Sequence, residues 1–401
     1  MVRPHRPDRI VAALLEWFAL EARDLPWRRT LDPYAVWVSE IMLQQTQVKT
    51  VIPYWERWMR DLPDLQALAR APQEKILKLW EGLGYYTRVR NLQKAAQQIV
   101  RDNSGTFPQA FDAVLALSGV GRYTAGAITS IAFNQPSPIL DGNVIRVLTR
   151  LYGIEENPKD KATNARLWQL AEELVQAAIT IRNSKFEIRN PQLLLAGSCS
   201  ALNQSLMELG ALICTPKQPR CAACPLRKQC VAFKTSRVES LPNLDKRAPA
   251  TDRRFVAFLI RRDNEWLVQQ RPAGVVNAHL WEFPNTEVGF ETGDLAPHAA
   301  KCAGAGIATL ERFTTVKHSI TRYRISLEAY LVSTKTLPRA LASSKWRTLA
   351  DLDALALTSA HRKVLMTLGR FISEKQSTKA PPVRTQHRWK SIAAKRFSRA
   401  L

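Results

Sequence analysis

Leu117-Ser118-Gly119-Val120-Gly121-Arg122-Tyr123, followed by Leu140-Asp141-Gly142-Asn143-Val144, is the stretch around which the rest of the chain is organised. Apolar runs at 111–117 and 124–133 flank its first part and read as two helices joined by a tight Gly-Val-Gly turn. Glycine gives such a turn positive φ angles and lets backbone come close to a ligand. The N–H groups of Gly119, Val120 and Gly121 then point outward at the start of the second helix, which suits a phosphate. An ordinary turn between two helices would carry the same residues. What sets this one apart is its company, because an Asp opening another apolar helix comes next and a four-cysteine cluster lies beyond it.

Charge narrows the partners. The chain of 401 residues holds 58 Lys and Arg against 35 Asp and Glu, a net charge of +23, with 46% apolar residues. A field of that sign attracts polyanions, nucleic acid first among them. An anionic membrane surface would compete, but no apolar run approaches the roughly 20 residues needed to span a bilayer. The basic N-terminus leads into an apolar stretch broken by Glu16 and Glu21, which reads as an amphipathic helix and not as a signal peptide. The expected location is the cytoplasm, on the nucleoid of a bacterium.

The first 235 or so residues look almost wholly helical, with apolar spacing of three and four over 11–22, 36–58, 76–83, 92–101, 111–117, 123–133, 144–152, 165–178 and 204–213. The expected division is a helical domain over 1–236, a polar linker over 237–253, a smaller α/β domain over 254–373 and a basic tail over 374–401. Runs at 255–260 and 266–270 form a hairpin signature, and 323–332 is a further strand candidate. Residues 352–371 read as one or two helices. The tail has no acid from about Gln376 onward and reads as disordered, either a solvated end or an arm on DNA.

Two carboxylates stand out. Glu40 shares a helical face with Val36, Trp37 and Gln44, and with Val48 and Val51 beyond. A desolvated carboxyl there would have a raised pKa and could donate a proton near neutral pH. The competing reading is a buried Glu paired with Arg23 or Arg28. Asp141, just ahead of an apolar helix, is by itself a natural N-cap. Together they offer one protonated and one ionised carboxyl, which cleavage of a glycosidic bond through an oxocarbenium-like state requires.

Leu25-Pro26-Trp27-Arg28, Ser39-Glu40 with Met42-Leu43-Gln44-Gln45-Thr46, Gly82-Leu83-Gly84-Tyr85-Tyr86 and Leu140-Asp141-Gly142-Asn143-Val144 together resemble the adenine DNA glycosylase (MutY-type) family. This family lies within the endonuclease III superfamily of helix-hairpin-helix glycosylases. Its members remove adenine mispaired with 8-oxoguanine. The resemblance covers about residues 10 to 235 and, more loosely, the second domain. It implies an all-α helix-hairpin-helix domain with a [4Fe-4S] loop, followed by a Nudix-like α/β domain, acting as a monomer on duplex DNA with A:8-oxoguanine or A:G mispairs. It further implies that Glu40 protonates the adenine and later activates water. Asp141 would stabilise the oxocarbenium ion, Asn143 would orient Asp141, and Tyr123 would pack on the sugar. Arg23, Trp27, Arg28, Leu43, Val48 and Gln204 would line the base pocket. Gln45 and Tyr85 would wedge into the duplex, with Thr46 also on DNA, and Gly119, Val120 and Gly121 would hold phosphate.

Lyase members of the superfamily carry a Lys, the Schiff-base nucleophile, where this chain has Tyr123. A phenol cannot form a Schiff base, and Ile145 offers no amine either. The expected activity is therefore base removal without strand cleavage. An endonuclease III-like lyase acting on oxidised pyrimidines is the rival enzyme, and a non-catalytic DNA-binding relative is the rival of another class.

Cys214-x6-Cys221-x2-Cys224-x5-Cys230 suits a metal centre, and zinc is the generic occupant of four thiolates. The resemblance points instead to a structural [4Fe-4S] cluster that presents Arg220, Arg227 and Lys228 to phosphates. Residues 267–272 and Leu280-Trp281-Glu282-Phe283-Pro284 are similar to a Nudix fold, but the metal-binding box that should follow is absent, so diphosphate hydrolysis is not expected. The loop that touches 8-oxoguanine in the family, Phe-Ser-His, is here Ile320-Thr321-Arg322, with Arg322 as the remaining donor. Residues 185–200 read as an insertion.

Overall fold

The structure is a computed structural model, and it describes residues 6–181, 197–245, 248–340 and 343–377. Helices come first in the chain: α1 Pro7–Glu21, α2 Pro33–Leu43, α3 Val48–Asp61, α4 Leu65–Arg70, α5 Gln73–Leu79 and α6 Thr87–Asp102. They continue as α7 Phe111–Leu115, α8 Arg122–Phe133, α9 Gly142–Tyr152, α10 Lys161–Ile181, α11 Ser198–Leu212 and α12 Val231–Lys234. Short polar residues start several of them. The side chains of Asp32, Asp64 and Asp141 accept backbone N–H groups in the first turns of α2, α4 and α9. Asn134 and Gly153, both left-handed, close α8 and α9.

The helices bury two apolar clusters. One is built on Trp37, Ile41 and Met42 of α2 with Trp58, Trp80 and Leu92. The other is built on α1, α9, α10 and α11. Gly126 lets the Pro138 carbonyl come against α8, since a Cβ there would lie 2.3 Å from that oxygen.

The single helix expected over 36–58 is in fact two, and this is a correction. Between α2 and α3 the chain turns at Gln45, which has a φ of 57°, and the Thr46 N–H returns to the Leu43 carbonyl. Ile41 and Met42 before the break and Val51, Trp55 and Trp58 after it enter the same core, so the apolar spacing runs on unbroken.

The second part of the chain is a sheet between helices. Its strands, among the described residues, are β1 Thr251–Arg262, β2 Glu265–Gln270, β3 Trp281–Glu282, β4 Asn285–Val288, β5 Ile307–Ile320, β6 Tyr323–Thr334 and β7 Ser344–Thr348. β1 pairs in parallel with β6 from Thr251↔Tyr323 to Ile260↔Val332, and β5 returns antiparallel along β6. β4 pairs with the first half of β1, while β2 joins the end of β1 to β7 and β3. Helix α13 Ala296–Ala303 covers one face. Helices α14 Leu349–Ala354 and α15 Ser359–Ser377 cover the other, so 352–371 is two helices. β5 is not read from the sequence, because its polar and apolar residues do not alternate cleanly and its burial is mostly partial.

The residues between Lys234 and Thr251 begin as part of the helical unit. Arg237 pairs with Glu155, and the buried Arg150 donates to the Leu241 carbonyl at 2.9 Å. Most of the expected insertion and the basic tail beyond Ser377 lie outside the described residues.

The two parts meet at Glu81. Its carboxylate accepts the Leu357 N–H at 2.9 Å, Arg362 Nε at 2.8 Å and Nη2 at 3.1 Å, and Lys78 Nζ at 2.7 Å. Lys78 also reaches the carbonyls of Asp353 and Leu355, and Leu280 and Ala356 pack into the helical core. Glu81→Ala should leave two cations facing each other and cost on the order of 2 kcal/mol. Calorimetry should then resolve separate melting of the two parts. An unchanged melting profile would mean that apolar contact alone holds them.

Candidate active site

Helix α2 is buried along almost its whole length, so Glu40, near its C-terminal end, is only 5% exposed. Tyr123 stands in the first turn of α8 and donates its O–H to Glu40 Oε2 at 2.7 Å; the same phenolic oxygen lies 3.2 Å from Met207 Sδ of α11. Burial pushes the Glu40 carboxyl up to about 7; the Tyr123 bond opposes that rise, the Asp141 charge adds to it and Arg28 subtracts from it. The Tyr123 phenol is raised well above its usual range by burial and by those two carboxyls, so it stays neutral.

Asp141 is held differently. It caps α9, with Oδ1 accepting the Val144 N–H at 2.8 Å and Oδ2 accepting Asn143 Nδ2 at 2.9 Å. Arg146 holds Asn143 in turn, through Nη2 to Oδ1 at 2.8 Å. The same guanidinium donates to the Gly210 and Cys214 carbonyls. Gly210 of α11 lies against this turn, and a Cβ there would fall 2.6 Å from Asn143 Cβ. Burial raises the Asp141 carboxyl above its ordinary value, and the Val144 and Asn143 donors and then Arg146 offset only part of that rise. The sequence leaves the N-cap and the site carboxylate as alternatives; the geometry makes Asp141 the N-cap, with its charge felt by both Glu40 and Tyr123.

The partner suggested for Glu40 is taken elsewhere. Arg23 donates Nε and Nη2 to Glu208 at 2.8 and 2.6 Å, and Arg28 Nη2 donates to the same carboxylate at 3.0 Å. Burial alone would raise Glu208, but the two guanidiniums outweigh it and hold the carboxyl at about 2. Arg28 Nε also donates to Gln204 Oε1 at 3.1 Å. Glu208 is not singled out by the sequence. Its signal there is modest, a carboxylate one helical turn after Gln204 with two arginines in need of a counterion.

A family model described as HhH-GPD superfamily base excision DNA repair protein matches residues 38–173, and one described as NUDIX domain matches residues 256–367. The adenine DNA glycosylase of Mus musculus is 32% identical over 434 residues, covering 93% of this chain and 80% of that protein. That of Buchnera aphidicola subsp. Acyrthosiphon pisum is 34% identical over 322 residues, covering 80% of this chain and 85% of that protein. The chain belongs to the adenine DNA glycosylase family. Among solved structures, a thermostable thymine-DNA glycosylase is 29% identical, covering 57% of this chain and 97% of that one, with a TM-score of 0.47.

In this glycosylase the remaining expected residues fall into separate places. Trp27 is core, packed edge-on to Trp55 with ring centroids 6.1 Å apart, and Leu43 and Val48 lie half-buried against the same cluster. Gly119, with a φ of 76°, and Gly121, which caps α8, frame the buried Val120. Asn91 fills the space that a Cβ on Gly119 would need, so this turn must be glycine. Gln45, Thr46 and Tyr85 sit on two neighbouring loops, after α2 and before α6. Arg322 is exposed at the β5–β6 turn, far from α2 in the chain.

Cys214, Cys221, Cys224 and Cys230 are free thiols, and three of them pack on the core of α9 and α11. Arg150 Nη1 lies 3.4 Å from Cys214 Sγ, and Cys230 Sγ donates to the Arg150 carbonyl. Burial is the main cause that pushes Cys224 up to about 12 and raises Cys230, and the neighbouring cysteines add to it. Among the described residues no three His, Cys, Asp or Glu are placed to hold a metal ion.

The raised carboxyl makes a measurable prediction. Glu40 binds its proton more tightly folded, at about 7, than at its ordinary value of 4.5. Its contribution to stability is therefore complete below the ordinary value and is lost as pH rises through about 7. Glu40→Gln should match the parent in acid and exceed it by on the order of 3 kcal/mol above neutrality. Denaturant unfolding across pH checks this, and equal stability at all pH values would mean that Glu40 is not desolvated.

Proposed function

We propose that this chain is a monofunctional glycosylase that excises adenine paired with 8-oxoguanine or guanine in duplex DNA. The observation that supports this reading most strongly is the unequal treatment of two buried carboxyls. Glu40 meets one phenolic O–H and holds its proton up to about 7, whereas Asp141 accepts two N–H donors with Arg146 behind them. Of two coupled groups, the one with more donors keeps the charge. Glu40 is thus the acid and Asp141 the anion.

The reaction follows. Glu40 gives its proton to adenine N7, the C1′–N9 bond breaks with its electron pair leaving on the base, and Asp141 stabilises the cationic sugar. Glu40, now ionised, takes a proton from water as the water oxygen bonds to C1′. Tyr123 keeps the acid in place and offers no amine, so no Schiff base forms and the strand is left intact. The target base must leave the stack for this, with Gln45 and Tyr85 wedged into the duplex beside the 8-oxoguanine.

The four cysteines would hold a [4Fe-4S] cluster, a group larger than one ion that takes four thiolates. When bound, it would fix the loop structurally and offset part of the charge on thiolates that burial disfavours. Arg220, which donates to the Leu212 carbonyl, and Arg227, stacked on Phe233, are set on that loop where phosphates could reach them. Arg322 at the β5–β6 turn is the donor for the oxidised base.

The test is single-turnover incubation with a labelled duplex carrying A opposite 8-oxoguanine, split into samples with and without hot alkali. Breakage only after alkali is expected, and breakage without alkali would overturn the monofunctional reading. Glu40→Gln should lower turnover by about 10³-fold or more while mismatch binding persists. Retained turnover would remove Glu40 from the acid role.

A further inference from the structure

Arg88, in the first turn of α6, lies half-buried beneath the two loops that carry Gln45 and Tyr85. Its Nη1 donates to the carbonyls of Ile41 at 2.7 Å, Met42 at 3.2 Å and Gln44 at 2.7 Å. Its Nη2 donates to those of Leu83 at 3.0 Å and Gly84 at 3.1 Å. The guanidinium sits against the rings of Trp80 and Tyr85, 5.3 and 5.7 Å from their centroids. No carboxylate is among these partners, and the buried Nε makes no hydrogen bond. Burial pushes Arg88 down to about 10, which still leaves it charged at neutral pH.

Such a cation has no role as a phosphate contact from inside, and its targets show what it does. Gln45 and Tyr85 both take left-handed backbone, with φ of 57° and 48°. A non-glycine residue held there is strained and persists only where its surroundings fix it. The Gln44 and Gly84 carbonyls that Arg88 grips belong to the peptides immediately before these two residues. One guanidinium fork therefore fixes the backbone leading into both. A lysine has a single point charge and no planar fork, so it could not span both loops and stack as well.

We propose that Arg88 is a positioning residue that locks the Gln45 and Tyr85 loops into one rigid wedge, so that both side chains enter the duplex together and extrude the base in one step. The proposal rests on the reading of Gln45 and Tyr85 as duplex-entering residues, and the experiment separates the two.

The probe is a duplex with 2-aminopurine, a fluorescent adenine analogue, opposite guanine; its brightening on binding reports unstacking. Full-length protein is compared with Arg88→Lys, Arg88→Gln, a wedge-less Gln45→Ala/Tyr85→Ala variant, and Arg88→Lys on that wedge-less background. Arg88→Lys should slow unstacking and single-turnover excision by about tenfold or more, with matched-duplex affinity changed less than about twofold. On the wedge-less background the same change should cost less than about twofold, since interacting residues are not additive. Full additivity, or unstacking by Arg88→Lys at the parent rate, overturns the proposal while leaving the wedge reading intact. Parent-like unstacking by the wedge-less variant overturns the reading and the proposal with it. Arg88→Lys keeps the charge, so its unstacking rate decides the question even if Arg88→Gln unfolds.

Discussion

Asp141 Oδ1 accepts the Val144 amide at 2.8 Å, and much of the site depends on that one bond. It starts α9 and fixes where the helix points. It also keeps a desolvated carboxyl supplied with a donor aligned with the positive end of the helix. From the same turn Asn143 holds Asp141 and Arg146 reaches the Cys214 backbone, so the helix that places this carboxyl also touches the cysteine loop. Glu40 has none of this support. Two chemically similar side chains are set apart by a helix end on one side and a single phenol on the other.

The arginines nearby obey the same logic in reverse. A guanidinium paired directly with Glu40 would hold it ionised. Arg23 and Arg28 instead share Glu208, and they hold it ionised against the raising effect of burial. One carboxylate thus offsets half of the two positive charges, and the group keeps a net positive charge. Arg28 still lowers the Glu40 carboxyl, the smallest of the influences on it.

How much of this was legible follows from how local each interaction is. The Gly-Val-Gly turn, the Asp141 cap and the helix carrying Glu40 are written in adjacent residues, and all are where the sequence puts them. Glu208 meets Arg23 across 185 positions, and Arg88 meets Ile41 across 47, so no spacing rule points to either. The break at Gln45 was hidden because a left-handed glutamine leaves no pattern while the apolar residues on both sides share one core. The contact at Glu81 was hidden for the same reason as Glu208, its partners lying in a part of the chain read as a separate domain.

Gly210 has no polar side chain and touches no proposed substrate, yet the close approach of α11 to Asn143 exists only because nothing projects from it. In genetic terms this position would be a concealed failure point. An alanine there is the mildest replacement available, invisible to any scale of charge or polarity. Its single methyl would nonetheless push on the turn that aims Asp141. The side chains of Asp141, Asn143 and Arg146 would all still be present, and only their register on the turn would be disturbed.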